Sequence, residues 1–184
     1  MFEDILGRIA QLLDEIKISY MIIGGQAVLI HGEPRLTRDI DITLGIGVKD
    51  SDLILDNIKQ IGLSAIPTQI NEFISKTFVL PAEDDETGIR VDFIFSQTEY
   101  ESEAIKRAIN VKVKNTDVKF ASIEDLIIHK IFSGRPRDIE DIKVIMVKKP
   151  EIDIEYIVKW LSEFDKALEK KEFVELFKSL LNRK

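Results

Sequence analysis

Residues 20–42 constrain the fold of this chain more than any other segment. An apolar run at 20–23 ends in two glycines, the pattern of a strand that breaks into a turn. Thirteen residues after the glycines, the sequence Asp-Ile-Asp-Ile begins a second predicted strand, over residues 39–44. Residues two apart in a strand share a face, so Asp39 and Asp41 project together while the isoleucines point into the core. Like charges this close repel, so a lysine, a solvent shell or a metal ion is needed to offset them.

The remaining hydrophobic pattern predicts both helices and strands. Apolar residues recur at helical spacing over 2–17, and a helix is also expected to begin near residue 26. Further helices are predicted at 51–61, 98–109, 122–131, 137–148, 153–164 and 171–181. Further strands are predicted at 77–80 and 89–95, which would form one hairpin, and at 112–114 and 118–120, which would form a second. This order predicts an α/β (α+β) fold with a mixed central sheet over residues 1–110, followed by a mostly helical region over 111–184.

Composition excludes several classes of function. The 184 residues contain no cysteine, which removes disulfide frameworks, thiolate zinc sites and cysteine nucleophiles. A net charge of −7 argues against sequence-independent binding of nucleic acid, which needs a broad basic surface. The first residues form an amphipathic pattern rather than a signal peptide, and the apolar run at 20–30 is shorter than the roughly 18 residues of a membrane helix. A cytoplasmic protein with no membrane partner is therefore expected.

A third acid lies in a predicted strand farther along the chain. Asp92 stands alone among apolar neighbours in Ile-Arg-Val-Asp-Phe-Ile-Phe, residues 89–95. If that strand pairs beside the Asp39 strand, three carboxylates converge. Such a cluster needs cations, and oxygen ligands without His or Cys favour Mg²⁺ or Mn²⁺. The acidic turn at 83–86 is the alternative source of the third acid, and Asp92 is preferred because charge in a turn is usually solvated.

The two glycines, Gly24 and Gly25, are the predicted phosphate site. Glycines at a strand-to-helix turn let backbone N–H groups approach an anion, and the helix N-terminus favours negative charge. The chain has no GxxxxGK[ST] loop, and the glycines at 45 and 47 lack the third glycine of a dinucleotide fingerprint. Two metal ions about 4 Å apart beside such a phosphate cradle are typical of phosphoryl or nucleotidyl transfer.

These three features together resemble a known superfamily. A hydrophobic residue before Gly-Gly or Gly-Ser, an Asp-x-Asp/Glu strand and a later lone acid are the signature of the DNA polymerase β-like nucleotidyltransferases. This chain supplies them as Ile23-Gly24-Gly25, Asp39–Ile42 and Val91-Asp92-Phe93. Within the superfamily, residues 24–42, with Arg35 and Thr37, resemble the AbiEii-type toxin and related small bacterial and archaeal nucleotidyltransferases.

A second motif extends the resemblance. Those proteins carry a downstream lysine followed by Arg-Asp-x-x-Asp, which is similar to Lys130, Arg137, Asp138 and Asp141 in this chain. By its helical pattern alone, Lys130 would be a solvated lysine, and the motif is what marks it as functional. Ser133 departs from the alanine that the toxin proteins often have three residues after the lysine.

The resemblance implies a fold, a reaction and a site. Residues 1–110 would form a nucleotidyltransferase core, and 111–184 would complete the nucleotide pocket. Asp39 and Asp41 would hold two Mg²⁺ or Mn²⁺ ions, while Asp92 would hold the catalytic ion and assist deprotonation of the acceptor. Nucleotide-binding roles are implied for Gly24, Gly25, Arg35, Thr37, Lys130, Arg137 and Asp138.

The expected activity is transfer of a nucleoside monophosphate from an NTP to an acceptor hydroxyl, an EC 2.7.7 reaction. The acceptor can be a tRNA, a protein or a small molecule, and a cognate antitoxin or toxin is a candidate partner. The main alternative is a non-catalytic nucleotide-binding or antitoxin-like protein with the same fold. A two-metal nuclease is disfavoured because it does not need the Gly-Gly cradle.

Overall fold

A computed structural model describes residues 1–33, 35–149 and 151–182. Pro34 and Pro150, which the sequence assigns to a loop and to a helix end, lie outside the described residues. Within the described ranges, no helix has the length and apolar character needed to span a membrane. The chain forms two compact units, one built from residues 1–26 and 36–121, the other from residues 27–35 and the chain from residue 122 onward.

The first unit is built on a mixed sheet. Its strands are β1 (Tyr20–Ile23), β2 (Asp39–Leu44), β3 (Leu63–Ala65), β4 (Val79–Asp84), β5 (Arg90–Phe95), β6 (Ile109–Val113) and β7 (Thr116–Phe120). They are arranged in the order β3-β4-β5-β2-β1-β7-β6. β2 runs parallel to β5 and antiparallel to β1, and β1 runs parallel to β7. The predicted fold class, a mixed central sheet with a helical C-terminal region, is confirmed.

The helices of the first unit follow the apolar pattern of the sequence. They are α1 (Phe2–Glu15), α3 (Ser51–Ile58), which continues as a 3-10 turn at Lys59–Ile61, α4 (Ile70–Thr77) and α5 (Glu99–Lys106). α1 buries Ile5, Ile9 and Leu13 along one stripe, as an amphipathic helix does against a core. Thr98 and Glu101 form a capping box that starts α5. α2 (Gly24–His31) begins in this unit, directly after β1.

The second unit is helical. Its main elements are α6 (Ile123–Ser133), α7 (Pro136–Lys148), α8 (Ile154–Ala167) and α9 (Glu172–Leu181). The Ser122 hydroxyl accepts the Asp125 N–H at the start of α6, and Gly134, at a φ of +63°, ends that helix. The buried Asp165 carboxylate accepts N–H groups from the first turn of α9, which fixes where that helix begins.

Two parts of the fold differ from the sequence pattern. β3 and α4 were not predicted, and the strand expected at 77–80 begins only at Val79 because Thr77 still belongs to α4. Phe78 makes the turn between them at a φ of +61°. The hairpin predicted near 112–120 is present as β6 and β7, which are strands of the central sheet. The chain leaves the first unit after Ala121, and a division into domains at residue 110 stays a prediction.

Candidate active site

The three predicted acids lie on one face of two neighbouring strands. In the parallel pair of β2 and β5, Asp41 lies opposite Asp92 and Asp39 lies opposite Arg90. The intervening side chains of both strands, such as Ile40 and Val91, are fully buried on the other face. We call Asp39, Asp41 and Asp92 the acidic face. The period-two alternation of each strand directs these carboxylates away from the core, and the register between the strands brings them together.

Gly24 closes one side of the acidic face. It directly follows Ile23, which lies opposite Asp41 in the antiparallel pair of β1 and β2. Its φ is +62°, in the left-handed region that favours glycine. A Cβ atom at this position would lie 2.0 Å from Oδ2 of Asp41. Glycine is therefore required here both for the turn and for the close approach of the backbone to the Asp41 carboxylate.

Arg90 supplies positive charge to the acidic face through an ion pair with Asp92. Its Nε donates to both carboxylate oxygens of Asp92, at 2.9 and 3.1 Å. The hydrogen bond to Asp92 raises the pKa of Arg90 and outweighs the lowering by burial, and the charges of Asp92, Asp39 and Asp41 add to the rise. Arg90 was not among the predicted site residues. The signal was available, because Arg90 and Asp92 are two apart in a strand and must share a face.

Thr37 orients the first acid. Its side chain is buried, and its Oγ1 donates to Oδ1 of Asp39 at 3.2 Å. The contact holds the Asp39 carboxylate at the entry of β2. The predicted role of Thr37 in nucleotide binding stays a prediction, and the bond to Asp39 shows how it bears on the acidic face.

The acidic face has the donor chemistry of a magnesium site. It offers carboxylate oxygens without His or Cys, as Mg²⁺ and Mn²⁺ prefer. Across the described ranges, no group of three or more His, Cys, Asp or Glu side chains is arranged so that it could hold a metal ion as it stands. Asp92 is engaged by Arg90, so the acids would have to exchange that partner to coordinate a cation together.

The acidic turn that was the alternative source of the third acid has a structural use. Asp84 is buried and accepts the backbone N–H of Thr87 at 3.0 Å and its hydroxyl at 2.7 Å. The guanidinium of Arg8 in α1 also donates to Asp84 and to the carbonyl of Ile61. Burial alone would raise the pKa of Asp84, but the bonds to Thr87 and Arg8 hold it below its usual value. This carboxylate ties α1 to the β4–β5 turn.

In the second unit, Lys130 is buried in a cluster of charges. Its Nζ donates to Oδ2 of Asp141 at 2.6 Å and to Oδ1 of Asp138 at 2.9 Å. Nε of Arg35 lies 3.2 Å from Oδ1 of Asp141. Burial alone would raise the pKa of Asp138, but the hydrogen bond from Lys130 holds it below its usual value. We call Lys130, Asp138, Asp141 and Arg35 the buried charge cluster.

Arg137 lies at the surface beside this cluster. With Arg35 and Asp141 it lines a cavity of about 260 Å³, to which Glu33 and Glu140 also contribute. The structure thus brings the residues of the lysine motif together within the second unit. The helical pattern alone would make Lys130 a solvated lysine. In the structure it is buried, because two aspartates from α7 contact it. The roles of Arg35, Lys130, Arg137 and Asp138 in nucleotide binding stay predictions.

The chain belongs to the family described as nucleotidyltransferase of unknown function (DUF6036), whose model matches residues 1–180. This confirms the predicted resemblance at the level of the nucleotidyltransferases. A particular relation to the AbiEii-type toxins stays a prediction. None of the curated proteins matches the sequence at a significant level.

Several solved structures share the fold. The solution structure of the antibiotic-resistance factor ANT(2'')-Ia is 14% identical with a TM-score of 0.63, over 91% of this chain and 92% of that one. An antigenic nucleotidyltransferase-like protein from Paracoccidioides brasiliensis is 18% identical with a TM-score of 0.57, over 78% and 74%. The lincosamide antibiotic adenylyltransferase LnuA, bound to lincomycin, is 18% identical with a TM-score of 0.51, over 74% and 91%. At these identities the likeness establishes the fold.

Proposed function

We propose that this protein is a Mg²⁺-dependent nucleotidyltransferase that moves a nucleoside monophosphate from an NTP to an acceptor hydroxyl and releases pyrophosphate. The observation that carries the proposal is the alignment of Asp41 with Asp92 on adjacent parallel strands, with the backbone of Gly24 against Asp41. Membership of a nucleotidyltransferase family supports it.

In this proposal the acidic face supplies the ligands. Asp39, Asp41 and Asp92 would hold two Mg²⁺ or Mn²⁺ ions, whose charge stabilises the triphosphate and the departing pyrophosphate. Thr37 keeps the Asp39 carboxylate in place for that role. The acceptor oxygen forms a bond to the α-phosphorus as the bond from that phosphorus to the bridging oxygen breaks. The proton of the acceptor hydroxyl passes to a carboxylate oxygen of Asp92.

The first turn of α2 is the proposed triphosphate site. The first N–H groups of a helix have no partner within it, and the positive end of the helix favours an anion. Gly24 and Gly25 begin this helix, and because glycine has no side chain, none is present there to keep a phosphate from its first backbone N–H groups. In the same turn, Nε2 of the buried Gln26 has no hydrogen-bond partner among the described residues.

A small molecule is the acceptor class that we favour. The fold is shared with ANT(2'')-Ia, solved in complex with adenylyl-2''-tobramycin, and with the lincomycin-bound LnuA. The net charge of −7 disfavours a tRNA acceptor, because RNA binding depends on neutralising phosphates with basic groups. A protein acceptor stays a prediction that the assay below tests, and a cognate toxin or antitoxin partner also stays a prediction.

One observation favours the non-catalytic alternative. Arg90 engages the carboxylate of Asp92, the acid on which both metal binding and proton transfer would depend. A protein that binds nucleotides without turnover could retain this ion pair permanently. Measuring nucleotidyl transfer distinguishes the nucleotidyltransferase from the non-catalytic nucleotide-binding protein.

The test is an incubation of the purified protein with Mg²⁺, each NTP labelled at the α-phosphate, and a panel of hydroxylated acceptors that includes aminoglycosides, tRNA and protein. We expect the label to move to an acceptor, with one pyrophosphate released per transfer. The variant Asp41→Asn should lose the transfer, and Arg38→Gln, which changes an exposed side chain, should retain it. NTP binding without transfer to any acceptor would favour the non-catalytic candidate, and an absence of NTP binding would overturn the proposal.

A further inference from the structure

Arg90 occupies the position of a cation on the acidic face. Its guanidinium binds Asp92 through both carboxylate oxygens, and it lies opposite Asp39 across the β2–β5 pair. The Arg90 side chain is 54% exposed, whereas that of Asp92 is 18% exposed. The guanidinium therefore contacts Asp92 from the solvent side.

A metal ion and Arg90 compete for the same oxygens. A carboxylate whose two oxygens accept from a guanidinium Nε has to give up at least part of that contact before it can coordinate a cation. A guanidinium beside a divalent cation is also repelled by it. Binding of a metal by Asp92 together with Asp41 therefore requires Arg90 to move.

The neighbouring strand offers Arg90 a second partner. In the antiparallel pair of β4 and β5, Glu83 lies directly opposite Arg90. Side chains opposite each other in such a pair lie on the same face with their Cβ atoms about 5 Å apart. Glu83 is exposed at the surface. A guanidinium that leaves Asp92 can thus remain paired by turning from its own strand toward β4.

We propose that Arg90 is a displaceable counter-ion of the acidic face: a divalent cation takes Asp92 from it, and Glu83 then receives the guanidinium. The inference rests on the proposed function, because it assumes that the acidic face binds metal. It makes Arg90 a positioning residue that keeps three neighbouring carboxylates compatible with the fold until the metal arrives, and that sets the metal concentration at which the site fills.

The test is a titration of the full chain with Mn²⁺, in which the electron paramagnetic resonance signal of the free ion reports binding. Arg90→Gln should bind Mn²⁺ about tenfold more tightly than the parent, because the competing charge is gone. Without metal the same variant should melt at a lower temperature than the parent, and Mn²⁺ should raise its melting temperature by more. Glu83→Gln should bind Mn²⁺ about threefold more weakly, because Arg90 then loses its second partner.

Arg38→Gln is the matched control, since it removes the same charge from an exposed side chain next to Asp39 in sequence. Equal gains in Mn²⁺ affinity for the Arg90 and Arg38 variants would overturn the proposal, because general electrostatics would then explain the effect. Weaker Mn²⁺ binding by Arg90→Gln would overturn it as well. Unchanged Mn²⁺ binding by Glu83→Gln would contradict the part of the proposal in which Glu83 receives the guanidinium. Mn²⁺ binding that Asp41→Asn leaves intact, or no binding by any variant, would overturn the proposed function and this inference together.

Discussion

At the scale of single residues, Gly24 shows how the fold and the candidate site depend on one another. Its lack of a side chain permits a φ of +62° and leaves room for the Asp41 carboxylate. The two requirements can be separated by experiment, because the chain contains a second glycine in the same conformation. Gly88 has a φ of +68°, and a Cβ there would have nothing within 4 Å.

Gly24→Ala is therefore expected to destabilise the protein more than Gly88→Ala. Both variants force an L-residue into the left-handed region, which costs about 1–2 kcal/mol. The Gly24 variant additionally drives a methyl group against Oδ2 of Asp41. Urea unfolding of the two variants and the parent measures the difference. Equal losses would show that Asp41 can move aside freely and that Gly24 serves the turn alone.

The environment of Asp84 predicts how the stability of the protein depends on pH. Its folded-state pKa is lowered by its bonds to Thr87 and Arg8, so its contribution to stability is present above the unfolded pKa, near 3.8, and is lost as the pH falls through the folded value. Asp84→Asn should reduce the free energy of unfolding by about 1–3 kcal/mol at pH 7, as expected for a buried group that loses charged hydrogen bonds. The gap between variant and parent should shrink progressively below about pH 4. A gap that is the same at pH 7 and pH 3 would contradict the assignment.

The residues of the acidic face and the pairing of Arg90 with Asp92 were predictable from the sequence, whereas the buried charge cluster was not. The alternation of Asp and Ile in 39–42 predicts two acids on one face, because the strand period is local information. The bond from Arg90 to Asp92 is equally local and could have been inferred. The burial of Lys130 could not, because it depends on Asp138 and Asp141 folding back across the turn at Gly134.

At the scale of elements, the pairing of β2 with β5 determines the candidate site. The two strands are separated by some fifty residues, and their register sets which acids are neighbours. A shift of one residue would turn Asp92 to the other face. No local pattern specifies this register. β3 and α4 were missed for a related reason: a three-residue strand is defined by its partner β4, and the helix at Ile70–Thr77 is short and rich in β-branched residues.

The buried charge cluster gives a prediction at this scale, since it links α6 to α7. Lys130→Met should lower the free energy of unfolding by about 3–5 kcal/mol, because it leaves Asp138 and Asp141 without their buried cation. Lys143→Met is the control on an exposed position of α7 and should change stability by no more than about 0.5 kcal/mol. Chemical denaturation of both variants supplies the comparison. Similar small losses of unfolding free energy in both variants would show that Lys130 contributes no more to stability than a solvated lysine does.

At the scale of the whole molecule, the sequence predicts the class of fold and the order of most elements. The mixed sheet and the helical C-terminal region are as expected, because alternation and helical spacing persist over long stretches. The edge hairpin of β6 and β7 was predicted as a hairpin, but its place in the sheet follows from the parallel pairing of β7 with β1, which is a tertiary contact. The type and order of the elements therefore follow from the sequence more directly than the boundaries of the units do.

The proposed function requires the acidic face to bind a divalent cation and, with it, an NTP. Calorimetric titration with a non-hydrolysable ATP analogue, with and without Mg²⁺, tests it most directly. The parent should bind only when Mg²⁺ is present, and replacing Asp39, Asp41 or Asp92 by Asn should weaken that binding by at least about a hundredfold, or 2.7 kcal/mol. The melting temperature of each variant should show that the fold is kept. If the triple Asn variant bound the analogue with Mg²⁺ as tightly as the parent does, the acidic face would not be the site that binds the metal and the NTP.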